Sequence, residues 1–204
     1  GIEASVLGTD GVNKILQSSV RDLSVQFGNG DNVIEVETVN FDAQLGDGDN
    51  RIGVVAYTSN DSDTIEYDPY GDVNIVLGDG ANLVALYSEV WRKYDAIRSE
   101  SGDGGHGGPG FLIPASVRIE AGDGGNQIVV PLLECPGQTP HTSVAVTTGT
   151  GSDNIIVGAA AIDIKSGGGG DTITVMGTDR DYTQPDDPAN PVVLTSSSSK
   201  DGYG

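Results

Sequence analysis

Apolar and polar residues alternate in short segments along most of the chain, and glycine-rich turns separate these segments. A period of two is typical of strands with one buried face, and β-branched residues dominate the apolar set. The apolar positions before the turns are Leu23, Val25, Phe27; Val73, Ile75, Leu77; Val117, Ile119, Ala121; Val144, Val146; Ile162 and Ile164. Those after the turns are Ile34, Val36; Ile52, Val54; Val84, Leu86; Ile128, Val130; Ile155, Val157; Ile173 and Val175. The pattern predicts an all-β fold.

The turns are copies of one repeat, of which Leu-Gly-Asp-Gly-Asp-Asn-Arg-Ile at 45–52 is an example. The turn glycines are Gly28, Gly46, Gly78, Gly102, Gly122, Gly149 and Gly167, with Ser59 in one copy and a degenerate first copy at 8–15. The spacing averages about 20 residues, the length of one solenoid coil. We therefore predict a parallel β-solenoid (a β-roll or β-helix) of about eight coils, in which each strand pairs in parallel with its equivalent in the next coil.

The amino-acid composition, above all the negative charge, limits the kinds of molecule that the chain can bind. The chain carries 31 glycines in 204 residues and a formal net charge of −20. Such a surface repels nucleic acid phosphates and anionic membranes and attracts cations. Cys135 is the single cysteine, so no internal disulfide can form. The sequence does not begin with Met and has no signal peptide, so we expect a processed form or a fragment.

The Gly-x-Gly-x-Asp-x-apolar pattern resembles the calcium-binding repeats of secreted RTX (hemolysin-type) proteins, whose nonapeptide is G-G-x-G-x-D-x-U-x. Residues 149–155 and 167–173 match best and place Asp153 and Asp171 at the metal-binding position. The resemblance implies secretion, calcium-triggered folding and a structural or adhesive role in the extracellular space or at the cell surface. The repeat is about 20 residues instead of nine, so at most one edge of the solenoid would bind metal. Four copies have Asn where the motif has Asp, at Asn32, Asn50, Asn82 and Asn126.

Stacking makes the turn residues the candidate site. Equivalent residues of neighbouring coils lie about 5 Å apart, so a column of carboxylates repels itself unless a cation lies between the coils. Calcium prefers six to eight oxygen ligands. The candidate ligands are Asp47, Asp49, Asp79, Asp123, Asp153 and Asp171. The alternative is a metal-free ladder in which stacked Asn side chains hydrogen-bond from coil to coil, and the two devices can coexist, with Asn inside and Asp with calcium outside.

Two segments depart from the repeat. Apolar residues near 86–98 are spaced as on one face of a helix, which predicts a short helical insert. From residue 179 the repeat is lost and Pro, Ser, Asp and Gly dominate. We expect a solenoid domain over 1–178 and an arm or linker over 179–204.

No nucleophile elbow, P-loop or zinc motif occurs. The predicted function is a non-catalytic, extracellular calcium-binding structural or adhesive module. Open solenoid ends expose unpaired strand edges, so the chain is expected to self-associate head to tail into a filament or surface layer, and a surface polysaccharide is a further candidate partner. The alternatives are a parallel β-helix lyase or epimerase that acts on acidic polysaccharide, and a phage or virion fibre component.

Overall fold

A computed structural model describes residues 3–56, 71–87, 115–131, 142–159, 161–176 and 191–194. All regular elements within these ranges are strands, which confirms the all-β prediction. The strands are β1 (Glu3–Leu7), β2 (Lys14–Phe27), β3 (Val33–Leu45), β4 (Arg51–Ala56), β5 (Asp72–Leu77), β6 (Leu83–Tyr87), β7 (Ser116–Glu120), β8 (Gln127–Val130), β9 (Ser143–Thr147), β10 (Asn154–Gly158), β11 (Ala161–Lys165), β12 (Thr172–Met176) and β13 (Pro191–Leu194). These ranges hold no helix of the length and apolar character that a membrane crossing needs.

The strands form two parallel columns that the glycine turns join. The pre-turn column contains β1, the second halves of β2 and β3, and then β5, β7, β9 and β11. The post-turn column contains the first halves of β2 and β3, and then β4, β6, β8, β10 and β12. Every pairing within a column is parallel, as expected for strands that recur once per coil. The predicted solenoid-like parallel sheet is confirmed.

Seven turns are present in the described ranges, each with one glycine at positive φ: Gly11, Gly30, Gly48, Gly80, Gly124, Gly151 and Gly169. The predicted copies at Ser59 and Gly102 lie outside the described residues. β4 pairs directly with β6, and β6 with β8. Neither copy therefore inserts a coil into the ladder at these points, and both belong to segments that connect one coil to the next.

The core fills the space between the two columns. Ile34, Ile52, Val84, Ile128 and Ile155 follow one another through five coils in register, and each is at most 1% exposed. Removing such a side chain from water stabilises the fold by about 1.5–3 kcal/mol. The inward set predicted from alternation is buried in the middle coils. It is only partly buried in the last coil, at Ile162, Ile164 and Ile173, because no further parallel coil stacks on them in the described part of the chain.

The two edges of the coils differ. At one edge every coil turns through a short glycine turn, and at the other edge the connections vary widely. β2 and β3 pass this edge as continuous strands, and β10 and β11 are joined by residues 159–160. Longer segments, 57–71, 88–115 and 131–142, connect β4 to β5, β6 to β7 and β8 to β9. We call these two sides the turn edge and the insertion edge. All three long connections leave the ladder at the insertion edge.

Part of the predicted helix is wrong. Leu86 and Tyr87 are the last residues of β6, and Leu86 is buried in the core. Residues 88–98 lie outside the described ranges. Leu86 fits both the alternation of a strand and the spacing of a helical face, so the sequence assigns it to both elements. In the structure it pairs with Val54 of β4 and belongs to the strand. In the predicted arm, Pro191–Leu194 form β13, which pairs antiparallel with β12.

Candidate functional site

Backbone geometry at the turn edge demands glycine. Gly48 has φ +135°, a conformation that L side chains rarely adopt. Its amide donates to the carbonyl of Asp79 in the next coil at 2.8 Å. A Cβ on Gly48 would overlap the carbonyl of Gly30 in the preceding coil. The close stacking of turn on turn therefore excludes any side chain at this position.

The fifth turn position carries a column of side chains, buried from Asn32 onward, that we call the amide ladder. Its members are Asn13, Asn32, Asn50, Asn82, Asn126, Asp153 and Asp171. Asn50 is 1% exposed and shows the pattern, since its Nδ2 donates to Asn82 Oδ1 at 3.0 Å and to the carbonyls of Gly46 and Gly48 at 3.2 and 3.0 Å. Its backbone amide donates to the same Asn82 Oδ1 at 3.2 Å. The predicted stacking of the four Asn residues at 32, 50, 82 and 126 is confirmed.

The ladder satisfies the polar groups that stacking buries. An unpaired buried donor or acceptor costs about 1–3 kcal/mol, and each Asn rung provides both. An Asn side chain has an oxygen that accepts from the preceding coil and a nitrogen that donates to the following one. The column therefore has a direction, with acceptors toward the first coil and donors toward the last.

A second column lies at the surface, at the second turn position, and we call it the outer acidic column. It consists of Asp10, Asn29, Asp47, Asp79, Asp123 and Thr150. Each Oδ1 accepts the backbone amide of the equivalent residue in the next coil, for example Asp79 N to Asp47 Oδ1 at 3.0 Å. The amide and hydroxyl of Thr150 both hydrogen-bond to Asp123 and hold the pKa of that carboxyl below its usual 3.8, against a small opposing effect of desolvation.

A shorter third column stands at the fourth turn position. Asp49 donates its backbone amide to Asp31 Oδ1 at 2.9 Å, and Asp49 Oδ1 accepts from Ala81 N at 2.8 Å. Glycine and serine occupy this position in the last three coils, at Gly125, Ser152 and Gly170. The column ends at Ala81, because the alanine side chain has no acceptor for the amide of the next coil.

The six predicted ligands fall into three separate columns. Asp47, Asp79 and Asp123 occupy consecutive rungs of the outer acidic column, Asp49 stands in the third column, and Asp153 and Asp171 are buried in the amide ladder. Within the described ranges, no three or more His, Cys, Asp or Glu side chains are grouped as they would be around a metal ion. Instead of converging on one point, the Oδ1 atoms of these carboxylates accept hydrogen bonds from backbone amides along the columns.

Among the ligand candidates in the described residues, Asp153 has a buried carboxylate oxygen without a hydrogen-bond partner. It is 2% exposed, and its Oδ2 has no hydrogen-bond partner. In the Asn rungs the atom at the position of Oδ2 is Nδ2, which donates to turn carbonyls and to the side chain of the next rung. A carboxylate there brings an oxygen toward acceptors, and a bound cation would supply the missing positive charge.

Sequence reasoning missed the first-coil rungs Asp10 and Asn13 and the polar face outside the pre-turn column. The inserted residue in the copy at 8–15 hid the two rungs. On the outward face, Asp22, Asn40 and Asp72 form a hydrogen-bonded row, with Asn40 Nδ2 donating to Asp22 and Asp72 N donating to Asn40 Oδ1 at 2.9 Å. An open groove of about 760 Å³ covers this face. Strand alternation was the signal available, since these residues flank the inward apolar positions.

Comparison with models of protein families, with curated proteins and with solved structures found no match.

Proposed function

We propose that the chain is a non-catalytic, extracellular structural or adhesive module, a rod whose turn edge holds its shape and whose insertion edge presents binding segments. The observation that carries this proposal is the difference between the two edges. The turn edge repeats with a hydrogen-bonded rung in every coil, whereas the insertion edge ranges from no connection, within β2 and β3, to 28 residues (88–115). Variable segments on one side of a regular solenoid are typical of binding faces.

The segment 88–114 is the strongest candidate for a binding segment. It contains Trp91, the single tryptophan, together with Arg92, Lys93 and Arg98, three of the ten basic residues in the chain. Aromatic and arginine side chains are the residues most enriched at binding hot spots. A segment in which tryptophan and three basic side chains lie close together in sequence suits a surface polysaccharide.

The groove outside the pre-turn column favours the structural role over a lyase or epimerase for acidic polysaccharide. Its lining includes the carboxylates of Glu3, Asp22, Asp42 and Asp72. Neither Lys nor Arg is among the described residues that line it. A uronate chain would therefore meet negative charge without a compensating cation.

The adhesive role is tested by shortening the insertion edge in the full chain. β10 and β11 close their coil with two residues, so a two- to four-residue Gly-Ser linker can replace 88–114 between β6 and β7. We expect the far-ultraviolet circular dichroism spectrum, which reports the strands, to be unchanged. On an array of bacterial and viral surface glycans, the variant should lose binding to the glycans that the parent chain binds. The matched control replaces 57–70 in the same way. Full glycan binding by the 88–114 replacement would contradict the adhesive role.

Calcium binding at the turn edge is the second half of the proposal. Its support is the run of Asp47, Asp79 and Asp123 on consecutive coils and the partnerless Oδ2 of Asp153. The test is thermal unfolding and circular dichroism of EDTA-treated protein titrated with calcium, with magnesium as control. A rise in melting temperature at micromolar to millimolar calcium supports the proposal. An unchanged, fully folded protein in EDTA removes calcium from it and leaves the amide ladder as the stabilising device.

A further inference from the structure

The first coil of the rod is exposed at its outer side. Among the described residues β1 pairs only with β2, so one edge of this strand has no neighbour. Leu7, Val12 and Leu16 are 75%, 78% and 49% exposed. They are the large apolar side chains that stand exposed in the described ranges, and all three belong to the first coil. Exposed apolar groups concentrated at one end mark an interaction surface.

The last coil is open on one column and covered on the other. β11 pairs only with β9 within the described ranges, and Ile162 and Ile164 on its inward face are partly buried. β12, in contrast, carries β13 on its outer side in antiparallel pairing, with Val175 opposite Val192. The parallel ladder therefore ends at β12 but is unfinished at β11.

We propose that a second copy of this chain stacks its first coil on the last coil of its neighbour, and that β13 opposes this stacking by occupying the edge of β12. The proposal rests on the structural role given above and names its partner. The hydrogen-bonding groups at the two ends complement each other. In the amide ladder the backbone amide of a rung donates to the Oδ1 of the next rung at Asn13, Asn32, Asn50, Asn126 and Asp153, whereas the amide of Asn82 donates to the carbonyl of Gly80. With this polarity Asp171 ends the column with an amide donor and Asn13 begins it with an Oδ1 acceptor.

A second backbone row has the matching polarity. The amide after each ladder residue donates to the carbonyl of the preceding rung, as in Val33 N to Asn13 O and Thr172 N to Asp153 O, at 2.9 and 2.8 Å. The row therefore begins with the amide of Lys14 and ends with the carbonyl of Asp171. Stacking one copy on another joins these two groups and continues both rows without a gap.

The strand register predicts which side chains meet. One outward row of the pre-turn column runs from Leu7 to Lys165 through paired residues in every coil. The inward neighbours are Ala4 and Val6 at one end and Ile162 and Ile164 at the other. In a continued stack Lys165 of one copy lies beside Leu7 of the next, and the partly buried apolar pairs cover each other.

β13 competes for the same space. A stacked copy would place its own residues 14–16 beside β12, where β13 now pairs. Breaking β13 should therefore increase association. Adjacent amides in a strand point to opposite sides, so Val192→Pro with Val193→Pro removes whichever amide faces β12.

The test measures the mass of two full-length proteins, the parent and the Val192→Pro/Val193→Pro variant, by light scattering after size-exclusion chromatography. We expect the variant to associate with a dissociation constant at least tenfold lower than that of the parent. Adding Leu7→Lys should reverse this gain, because the new ammonium group would lie beside Lys165 of the neighbouring copy, whereas Gln44→Lys, in the same row but in the third coil, should leave it unchanged. A folded proline variant that stays monomeric, or one that associates despite Leu7→Lys, overturns the proposal.

Cross-linking checks the register independently. Two single-cysteine chains in a Cys135→Ser, β13-disrupted background, Leu7→Cys and Lys165→Cys, are mixed and oxidised. Strand spacing near 4.8 Å lies within the Cα separation that a disulfide tolerates, so the mixed dimer should form. The control pair Leu7→Cys with Ala161→Cys places the sulfurs four residues apart along the strand, about 13 Å, and should not cross-link. Equal cross-linking of both pairs overturns the stacking register. Glycan binding through 88–114 is unaffected by either outcome, so the proposed function fails or stands separately.

Discussion

Asp153 Oδ1 accepts both the backbone amide and the side-chain amide of Asn126, at 2.8 and 3.0 Å, while Asp153 Oδ2 is buried without a partner. Both amide bonds of the ladder are thus present between Asn126 and Asp153, whereas the side-chain bond from Asp153 to Asp171 is missing. The next bond in the column comes from the backbone amide of Asp153 alone, which donates to Asp171 Oδ1 at 3.0 Å. The change from Asn to Asp in the last two rungs replaces a donor by an acceptor.

Asp153→Asn should repair this rung. The new Nδ2 would stand where Oδ2 now lacks a partner and could donate to Asp171 and to turn carbonyls, as Asn82 does to Asn126, Gly78 and Gly80. In EDTA we expect the free energy of unfolding to rise by about 1–2 kcal/mol, and the melting temperature by about 2–4 °C per kcal/mol. Asp163→Asn, which removes the same charge from an exposed strand position, is the control. Destabilisation of Asp153→Asn in EDTA would contradict the defect; loss of a calcium response in the same variant would support a cation at this rung.

Asn82→Asp should have the opposite effect. The substitution puts a carboxylate oxygen where Nδ2 donates to Asn126 and to two turn carbonyls in a fully buried position. We expect a loss of about 2–4 kcal/mol in denaturant unfolding. Asn154→Asp is the matched control, since Asn154 is partly exposed and pairs with Gln127 and Thr172, which carry no charge. It should change stability by less than about 0.5 kcal/mol. Equal effects of the two substitutions would show that burial in the ladder does not matter.

Gly48→Ala and Gly125→Ala separate a required glycine from a tolerated one. Gly48 has φ +135° and faces the carbonyl of Gly30, so a Cβ costs strain and forces the turns apart. A loss of at least about 2 kcal/mol is expected in urea unfolding. At Gly125 the nearest atom to a Cβ is Ser152 O at 3.5 Å, an ordinary contact, and alanine should be neutral or stabilise by about 0.4–1 kcal/mol. A stable Gly48→Ala protein would refute the stacking geometry of the turns.

The lowered pKa of Asp123 makes a pH prediction with a definite sign. Because the folded pKa lies below the unfolded value of 3.8, the native state binds fewer protons in that window. The stabilisation is fully present above pH 3.8 and disappears as the pH falls through the folded pKa. Carboxyl NMR titration of Asp123 should give a midpoint below 3.8, and Thr150→Ala should move the midpoint upward by removing the hydroxyl donor. A midpoint at or above 3.8 in the parent would contradict the claim that the Thr150 hydrogen bonds lower the pKa of Asp123.

Much of the strand architecture could be predicted because alternation and repeat spacing are local properties. Val25, Ile52, Val84 and Ile128 were assigned to the buried face from period two alone, and each is at most 1% exposed. The amide ladder was predicted as an alternative to calcium because Asn recurs at one turn position. The choice between the two at each rung depends on neighbours one coil away, which sequence spacing does not reveal.

The spatial grouping of the six candidate ligands could not be predicted from the sequence. Asp47 and Asp49 differ by two positions in one turn, yet the first joins the outer acidic column and the second a separate column. Asp153 and Asp171 match the same motif position but point into the buried ladder. The direction of each side chain follows from turn conformation, so the six carboxylates could be named from the sequence but not grouped.

Each repeat specifies its own coil, because it carries turn glycines, alternating strands and a polar rung. Which repeats become neighbours depends on how the coils stack. The direct pairing of Ile52 with Val84, and of Val84 with Ile128, leaves the copies at Ser59 and Gly102 outside the succession of coils. It also assigned Leu86 to a strand and brought Pro191–Leu194 back onto β12. The physical reason is that strand pairing and rung-to-rung hydrogen bonds join residues 18 to 44 positions apart, and such contacts exist only once the coils have stacked.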